Sequence, residues 1–439
     1  MLGVSGLRRR LPPAVRQRNF ALFAGVVLAT ELASQMIAVA IGWQVYDVHH
    51  HAFDLGLVGL LEFAPVLLLA IPSGHLADRV SRRLVLGMSL VLLIVIAVGL
   101  IAVSAGGAHA LWPFLVLAAA NGGATALSFP ASRALPPMLV ERELVPSAIA
   151  VRSVVNQTAM VAGPAVGGAL FAIHPEVVYT AALGLFGAAL IAVFAMRTSP
   201  SGEASAPESP GLSALLAGIH FIRATPILLG AITLDLFAVL FGGAVALLPV
   251  FAQSVLHTGP AGLGVLRSAP AVGAVVAGIL FVRRPLPART GPLLLACVAG
   301  FGASVIVFGV SRTFWLSLVA LALSGAFDMV SVNVRNTTVT LVTPDWVRGR
   351  VGAVESVFIG ASNQLGAFES GTAAALLGAV PAVVCGGVAT IVIALTWTHL
   401  FPGLARLDRM EDLRPNGDGR GVGDSLDLAR EAASTAGPA

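Results

Sequence analysis

The sequence predicts an all-α membrane protein with twelve transmembrane helices, and two observations support this. Of the 439 residues, 57% are hydrophobic and 11% are charged, whereas an ordinary soluble domain has about 25% charged residues. The charges lie between apolar stretches rather than within them. Each stretch is roughly 20 residues long, which is the length a helix needs to cross a bilayer core.

Twelve apolar segments follow one another along the chain, and we number the predicted helices 1 to 12 in that order. They cover 20–46, 54–77, 84–104, 111–132, 147–172, 177–196, 226–252, 260–282, 290–310, 313–336, 349–373 and 380–400. The basic segment before helix 1 resembles the start of a signal peptide. Because a long apolar run and many further spans follow it, we expect helix 1 to be retained.

The placement of arginine predicts the orientation. The N-terminus, every second loop and the C-terminal tail are rich in Arg, and this set includes Arg335, whereas the other loops hold only Arg312. By the positive-inside rule both termini are cytoplasmic, which requires an even number of spans. The predicted regions are a basic cytoplasmic N-terminus (1–18), an N-terminal six-helix bundle (19–197), a cytoplasmic central loop (198–225), a C-terminal six-helix bundle (226–401) and a flexible cytoplasmic tail (402–439).

The two halves resemble copies of one six-helix unit. Three landmarks recur in order at offsets of 202 to 205 residues, namely Arg133 with Arg335, Pro65 with Pro270 (offset 205) and Glu31 with Asp235. Transporters that contain such repeats place the substrate site at the interface between them. The repeat therefore predicts two pseudo-symmetric bundles.

Two motifs resemble those of the major facilitator superfamily. Residues 74–83 read Gly-His-Leu-Ala-Asp-Arg-Val-Ser-Arg-Arg, which is similar to the loop signature G-x-L-A-D-R-x-G-R-R/K with Ser81 in place of Gly. Residues 163–168, Gly-Pro-Ala-Val-Gly-Gly, resemble the antiporter motif G-x-x-x-G-P-x-x-G-G, with Ala159 in place of its first Gly. Segments 18–20, 44–46 and 130–133 resemble the branch that contains the enterobactin exporter and macrolide efflux proteins. The resemblance implies the major facilitator fold and favours export.

The resemblance also implies roles for these residues. A cytoplasmic gate that latches the outward-open state would consist of Gly74, Asp78, Arg79, Arg82, Arg83 and Arg133; the alternative is a charge cluster that only sets topology. The residues Gly163, Pro164, Gly167 and Gly168 would lie on one face of helix 5 at small-x-x-x-small spacing, packed at the interface of the halves. The alternative for these four is generic small-residue packing.

Ionisable residues inside the spans are the strongest indication of a site, because each costs at least about 2.5 kcal/mol at the bilayer centre unless it is paired or hydrated. Six carboxylates qualify: Glu31, Glu62, Asp235, Asp328, Glu355 and Glu369. In the superfamily, helices 1, 4, 7 and 10 line the cavity. The proton-coupling candidates are therefore Glu31 first, Asp235 second, and Asp328. The alternative is that these carboxylates are structurally paired or bind a cationic substrate.

Arg267 in helix 8 is the only Arg that the sequence predicts deep in a span. It needs a carboxylate partner, such as Glu62, Asp235, Glu355 or Glu369, or else it binds an anionic substrate. Further candidates for a mixed polar and aromatic substrate cavity are Gln35, Trp43, Asn121, Phe237, Asn333, Asn363 and Gln364. Each of these is alternatively an interhelical hydrogen-bonding or packing residue.

Several function classes are excluded or disfavoured. The chain contains no Lys, so it has no P-loop and cannot drive transport with ATP by itself. No catalytic, cofactor or metal site stands out, since His49, His50 and His51 read as a solvated loop and Cys297 and Cys385 as buried apolar residues. Nucleic acid is not an expected partner, because the Arg residues mark loops.

The sequence predicts a secondary active exporter of hydrophobic or amphipathic small molecules, either drugs or siderophores, in the cell inner membrane. Proton antiport with alternating access is the expected mechanism, with the substrate, protons and lipid as partners and a monomer as the functional unit. An uptake permease of the same fold is the nearest alternative. A transport-inactive receptor or a membrane enzyme is the alternative from a different class.

Overall fold

The computed structural model describes residues 12–107, 109–196, 212–283 and 289–408. Twelve long helices form within these ranges: α1 (Arg18–His49), α2 (Ala52–Arg79), α3 (Arg82–Ala105), α4 (Trp112–Ala134), α5 (Val145–Phe171), α6 (Pro175–Ala195), α7 (Pro226–Phe241), α8 (Gly259–Arg283), α9 (Thr290–Val310), α10 (Phe314–Val342), α11 (Asp345–Leu377) and α12 (Ala379–Leu400). Short helices at Pro13–Arg16, Pro136–Leu139, Arg142–Leu144 and Pro402–Ala405 flank them. Proline in the first turn of α5, α6 and α7 occupies a position whose N–H has no intrahelical acceptor.

Eleven spans in the described residues are long and apolar enough to cross a membrane, counting α7 together with the turns that follow it. The helix outside this set is α11, which is less apolar because it carries Asp345, Arg348, Arg350, Glu355 and Glu369. It nevertheless packs against α2, α7 and α12 within the helical assembly. The predicted all-α membrane fold with twelve helices is confirmed.

Helix packing repeats between the two halves. In the first half α1 packs on α5 and α6, α2 on α4, and α3 on α4 and α6. In the second half α7 packs on α11 and α12, α8 on α10, and α9 on α10 and α12. Adding six to each helix number converts one set into the other, so the fold is two pseudo-symmetric six-helix bundles. The bundles meet along two lines, α2 against α11 and α5 against α8. The pseudo-symmetry relates α2 to α8 and α5 to α11, so it converts each line of contact into the other.

The bundles approach most closely at their predicted periplasmic ends, through glycine. A Cβ atom at Gly168 would lie 2.5 Å from the Pro260 carbonyl oxygen and 2.8 Å from the Gly264 Cα atom. On the other line, a Cβ atom at Gly371 would lie 2.8 Å from the Gly56 Cα atom. One continuous apolar core includes residues from both bundles at this end. The described structure is therefore closed on the side that the sequence predicts to be periplasmic.

The seventh span is interrupted, although the sequence predicts a continuous helix over 226–252. After α7 ends at Phe241, a 3-10 turn (Ala244–Leu247), a short α-turn (Leu248–Val250) and a π-turn (Phe251–Val255) complete the crossing. The break follows Gly242 and Gly243, and a Cβ atom at Gly243 would lie 2.7 Å from the Ser370 Oγ atom of α11. Two adjacent glycines also lower the local helix propensity.

Part of the range predicted as the central loop (198–225) is helical. We name Leu212–Ala224 the linker helix. Ile222 of this helix is 2% exposed and joins Val347 and Val351 of α11 in a separate apolar cluster. The linker helix thus docks on the predicted cytoplasmic end of the C-terminal bundle because it has an apolar face to bury.

Candidate functional site

A buried charge cluster lies inside the C-terminal bundle, and we call it the Arg335 cluster. Arg335 on α10 is 4% exposed and forms an ion pair with Asp235 on α7. Its Nε atom lies 3.7 Å from the Oε1 atom of Glu355 on α11. Asp328, also on α10, interacts electrostatically with both Asp235 and Arg335. Three carboxylates therefore lie around one guanidinium, which can balance the charge of one of them.

The position of Arg335 corrects the sequence analysis, which placed it in a cytoplasmic loop and left Arg267 as the only Arg deep in a span. Helix α10 continues to Val342, seven residues past Arg335, so the guanidinium is buried within the bundle. A lone guanidinium at this depth is costly without carboxylate partners. The acidic residues around it supply them.

A second polar cluster joins the two bundles, and we call it the Glu62 cluster. The Nδ2 atom of Asn121 on α4 donates a hydrogen bond of 2.7 Å to the Oε1 atom of Glu62 on α2. Gln364 on α11 also forms a side-chain hydrogen bond with Glu62, and Arg267 on α8 is its charged neighbour. Of the four carboxylates considered as partners for Arg267, Glu62 is the one with which it interacts. The cluster brings together three residues that the sequence assigned to the substrate cavity.

Glu31 on α1 lies in the N-terminal bundle, and its charged neighbour is Arg152 on α5. Arg152 also donates a hydrogen bond of 3.4 Å to the Ser132 carbonyl oxygen. The Glu31 side chain is exposed despite its central place along the helix. It therefore differs from Asp235, its counterpart in the repeat, which is held directly by an arginine.

The predicted cytoplasmic gate falls largely outside the described side chains. The structure does not describe the side chains of residues 70–79, which include Gly74, Asp78 and Arg79, or the side chain of Arg133. Arg83 donates to the Phe194 carbonyl oxygen, and its guanidinium carbon lies 5.5 Å from the centroid of the Phe194 ring. Arg82 contacts the sulfur of Met138. Both of these arginines contact residues of their own bundle.

The glycine-rich motif of α5 contacts two different helices, whereas the sequence placed all four of its residues at the interface of the halves. A Cβ atom at Gly163 or Gly167 would lie 2.5 Å or 2.7 Å from atoms of α1 in the same bundle. Gly168 and the Pro164 carbonyl oxygen face α8 of the other bundle instead. The motif therefore allows close packing within one bundle and across the interface at the same time.

Two aromatic residues predicted for the substrate cavity take part in packing elsewhere. Phe237 meets Trp397 of α12 edge-to-face, with ring centroids 5.7 Å apart, inside the C-terminal bundle. Trp43 packs near Phe171, with centroids 6.4 Å apart. Its carbonyl oxygen accepts a hydrogen bond of 3.2 Å from Gln253 of the other bundle. The alternative reading of both as packing residues agrees with these contacts.

The remaining polar candidates are dispersed. Gln35 lies against the close approach of α1 to Gly163. Asn333 is half-buried on α10, and Asn363 on α11 is exposed and donates to the carbonyl oxygen of Ile359 at 2.8 Å in its own helix. The structure does not gather these three into the two clusters described above.

A pocket of about 440 Å³ opens at the predicted periplasmic end of the N-terminal bundle. Its lining includes Trp43, Gln44, Ser104 and His109. The Gln44 side chain donates to Ser104 Oγ at 3.0 Å and accepts from the hydroxyl of the buried Tyr179 at 2.5 Å. Hydrogen bonds among Gln44, Ser104 and Tyr179 therefore fix the position of the Gln44 side chain in the wall of this pocket.

Comparisons with known proteins agree with this architecture. The family model described as transmembrane secretion effector matches residues 11–416. The MFS-type transporter YfiS of Bacillus subtilis (strain 168) is 26% identical over 391 residues, which cover 84% of this chain and 91% of YfiS. The enterobactin exporter EntS of Citrobacter koseri is 24% identical, over 90% of this chain and 93% of EntS.

A solved structure shows the same fold. A bacterial homologue of the human lysosomal transporter Spinster, in its inward-facing and occupied conformation, aligns with a TM-score of 0.70 and 14% sequence identity, over 91% of this chain and 99% of that one. The expected resemblance to the branch with the enterobactin exporter is confirmed by the curated relatives. Since the family model spans most of its length, the chain belongs to the transmembrane secretion effector family of the major facilitator superfamily, whose members are transporters and not enzymes.

Proposed function

We propose that this protein is a secondary active exporter of hydrophobic or amphipathic small molecules, driven by proton antiport and working by alternating access. It would lie in the cell inner membrane with both termini cytoplasmic and act as a monomer. The relatives named enterobactin exporter, which align over nine-tenths of the chain, support export and make a siderophore one candidate substrate. A drug is the second candidate, from the likeness to macrolide efflux proteins.

The observation that carries proton coupling is the surplus of carboxylates in the Arg335 cluster. Asp235 and Asp328 both interact with the guanidinium of Arg335 in a site that is largely excluded from water. Burying unpaired negative charge is unfavourable, so the cluster favours binding a cation that can neutralise it. A proton is the smallest such cation, and it can leave when the site becomes hydrated. Intramembrane carboxylates of transporters commonly form such proton relays.

The test uses inverted membrane vesicles with an imposed pH gradient, acid inside. Enterobactin and erythromycin serve as probes of the two substrate classes. We expect uptake of at least one probe, loss of that uptake when a protonophore collapses the gradient, and proton efflux that depends on the probe. Uptake that is indifferent to the gradient would contradict proton antiport.

A matched pair of variants connects the result to the cluster. Asp235→Asn should reduce gradient-driven uptake to background, because it removes one proton-binding group while it keeps the side-chain size. Asp345→Asn is the control, since Asp345 is 88% exposed at the start of α11 and pairs with Arg348 of its own helix at 2.6 Å. An uptake permease of the same fold would accumulate its solute in vesicles of the opposite orientation, and a transport-inactive receptor would move neither probe.

A further inference from the structure

The pocket at the predicted periplasmic end of the N-terminal bundle is not used by the proposed transport cycle. It is formed by the ends of α1, α3, α5 and α6, and the described residues that line it all belong to the N-terminal bundle. The substrate site of a repeat transporter lies between its two halves instead. A volume of about 440 Å³ lies within the range of small-molecule sites. The pocket is therefore large enough for a ligand of its own.

One wall of this pocket combines an aromatic ring with a carboxylate. Trp43 and Asp47 both line it. They are one turn apart on α1, so they lie on the same face of the helix with Cβ atoms about 5–6 Å apart. Phe171 of α5 packs near Trp43, with ring centroids 6.4 Å apart and planes inclined by 53°. Two aromatic rings and an acid therefore border the same space.

The Asp47 carboxylate is available to a ligand. Its side chain is exposed, and within the described part of the chain it has no ion-pair or hydrogen-bond partner. The nearby Asp54 is instead paired with His49, at 3.1 Å. His109 and His174 complete the polar part of the lining, and a neutral imidazole offers one further acceptor nitrogen. The polar groups of the pocket thus include one unpaired negative charge.

The surrounding surface favours cations over anions. The segments 43–54, 104–112 and 171–177, which form this end of the bundle, contain three carboxylates and no arginine. A carboxylate beside the face of an aromatic ring suits an organic ammonium ion, because the ring quadrupole and the negative charge both attract it. An organic cation with an apolar part therefore matches both the charge and the apolar walls of the pocket.

The wall that contains Trp43 is also bound to the other bundle. The Trp43 carbonyl oxygen accepts a hydrogen bond of 3.2 Å from Gln253, and one turn further along α1 the Tyr46 hydroxyl lies 2.8 Å from Ser254 Oγ. Both contacts must break when the bundles separate on this side. They hold the end of α1 in its present position, so a ligand that fits the pocket binds the closed state more tightly than the open one.

We propose that this pocket binds an organic ammonium ion from the predicted periplasmic side, and that the bound cation stabilises the closed state. The ammonium group lies over the Trp43 ring within reach of the Asp47 carboxylate, and the apolar part packs on Phe171. The cation is either a dissolved amphipathic amine or the headgroup amine of a membrane lipid, since both carry the same group. The site is separate from the transported substrate and its proton, so the proposal does not depend on the direction or coupling of transport.

Binding is measured by calorimetry with benzyltrimethylammonium on the full-length protein in dodecyl maltoside. The salt concentration is about 0.15 M, where the Debye length is about 8 Å and distant charges contribute little. Trp43→Leu should weaken binding by about 2- to 30-fold, the strength of a cation–π contact, and Trp43→Phe by less because it keeps a ring. Asp47→Asn should weaken it by up to about 5-fold. Trp315→Leu and Asp345→Asn are the controls and should leave the affinity unchanged, because both side chains are exposed and lie outside the pocket.

Nanodiscs distinguish the two sources of the cation. The ratio of the Asp47→Asn to the wild-type dissociation constant is measured in phosphatidylglycerol discs with and without phosphatidylethanolamine, and taking this ratio cancels the effect of membrane charge. If a lipid headgroup occupies the pocket, phosphatidylethanolamine competes and the ratio approaches one. If the ratio is the same in both discs, the ligand is a dissolved cation.

Closure is measured by labelling. Ala52 is 7% exposed at the α2–α11 contact, and its carbonyl oxygen lies 3.0 Å from where a Gly371 Cβ atom would be. In a protein with Cys297→Ala and Cys385→Ala, Ala52→Cys is labelled by a membrane-impermeant maleimide in right-side-out vesicles. His51→Cys, at the adjacent exposed position, corrects for thiol reactivity and reports the orientation. Saturating benzyltrimethylammonium should lower the labelling of Cys at 52 relative to Cys at 51 by about fivefold or more.

Three results would overturn the inference. They are the absence of saturable binding, binding that Trp43→Leu and Asp47→Asn leave unchanged, and a labelling ratio that the saturating cation does not lower. Asp47→Asn and Trp43→Phe keep the test decisive if Trp43→Leu fails to fold, because the first changes an exposed side chain and the second keeps a ring. Failure of the proposed function is separately visible: if neither transport probe moves but calorimetry and labelling give the expected results, export fails while the cation site is still supported.

Discussion

Gly168→Ala tests whether the glycine contacts hold the bundles closed. Gly168 on α5 faces α8, and its added methyl carbon would lie 2.5 Å from the Pro260 carbonyl oxygen and 2.8 Å from the Gly264 Cα atom. Both of these are backbone atoms, so no side chain can rotate away to make room. The two bundles must move apart at this point for alanine to fit.

The magnitude follows from the cost of overpacking, which is about 1–3 kcal/mol for an added methyl group in a packed interior. The contact exists when the predicted periplasmic side is closed and is released when that side opens, so the cost falls on one state only. A differential free energy of about 1–3 kcal/mol shifts a two-state equilibrium about 5- to 150-fold. Alanine at this position should favour the open state by that factor.

The assay is maleimide labelling of Ala52→Cys, relative to His51→Cys, in the Gly168→Ala protein. The reporter lies on the α2–α11 line and the substitution on the α5–α8 line, so a change in labelling reports rigid separation of the bundles and not local disturbance. Gly184→Ala on α6 is the control, because a Cβ atom there would meet nothing within 4 Å. Equal labelling in the two alanine variants would refute the reasoning.

Three further predictions concern the charges and the topology. Asp235→Asn should destabilise the protein by no more than about 2 kcal/mol, because Glu355 stays 3.7 Å from Arg335. Adding Glu355→Gln and Asp328→Asn removes the other carboxylates of the Arg335 cluster and should cost about 3–5 kcal/mol; equal thermal unfolding of the single and triple variants in detergent would contradict this. Glu31→Gln should abolish proton-driven uptake in vesicles but retain probe exchange, and full retention of coupling would eliminate it as a carrier. A reporter enzyme that is active only in the cytoplasm should be active when it is fused to the C-terminus, and one that is active only in the periplasm should not. The opposite result would reverse the predicted topology.

The helices and the repeat could be predicted because both depend on local sequence. A run of about 20 apolar residues bounded by arginines predicts a span wherever it lies in the fold, and equal offsets between landmarks predict duplication without any knowledge of contacts. The packing of α1 on α5 and α7 on α11 then reproduces that duplication in three dimensions. The interruption after α7 was missed, because adjacent glycines are common in this chain and only the approach of α11 distinguishes Gly243.

The buried position of Arg335 was missed for a different physical reason. The residues that follow it are polar, and polar residues after a long apolar run indicate a loop. Here Thr337, Thr338 and Thr340 donate side-chain hydrogen bonds of 2.7–2.9 Å to carbonyl oxygens one turn earlier, so their hydroxyls are satisfied within the helix. A polar sequence can therefore continue a membrane helix, and hydropathy alone does not reveal it.

The partner of Arg267 could be narrowed to four carboxylates but not identified. Choosing among them requires the rotation of each helix about its axis, which an amphipathic pattern would give. These helices are apolar on most sides and lack such a pattern. The close contacts along α2 and α11, which bring Gln364 to Glu62, depend instead on which small residues permit approach.

Duplication followed by charge divergence explains why the two halves have different electrostatics. The equivalent positions Glu62 and Arg267, 205 residues apart, carry opposite charges, and the two charges interact electrostatically although they lie in different bundles. Two identical charges at these positions would repel each other instead. Arg152 and Glu355 are another pair of equivalent positions. Arg152 interacts electrostatically with Glu31 in the first half, whereas Glu355 adds a carboxylate beside Arg335 in the second. This difference places more carboxylates around Arg335 than the first half places around Arg152, which supports the proposal that protons bind in the C-terminal bundle.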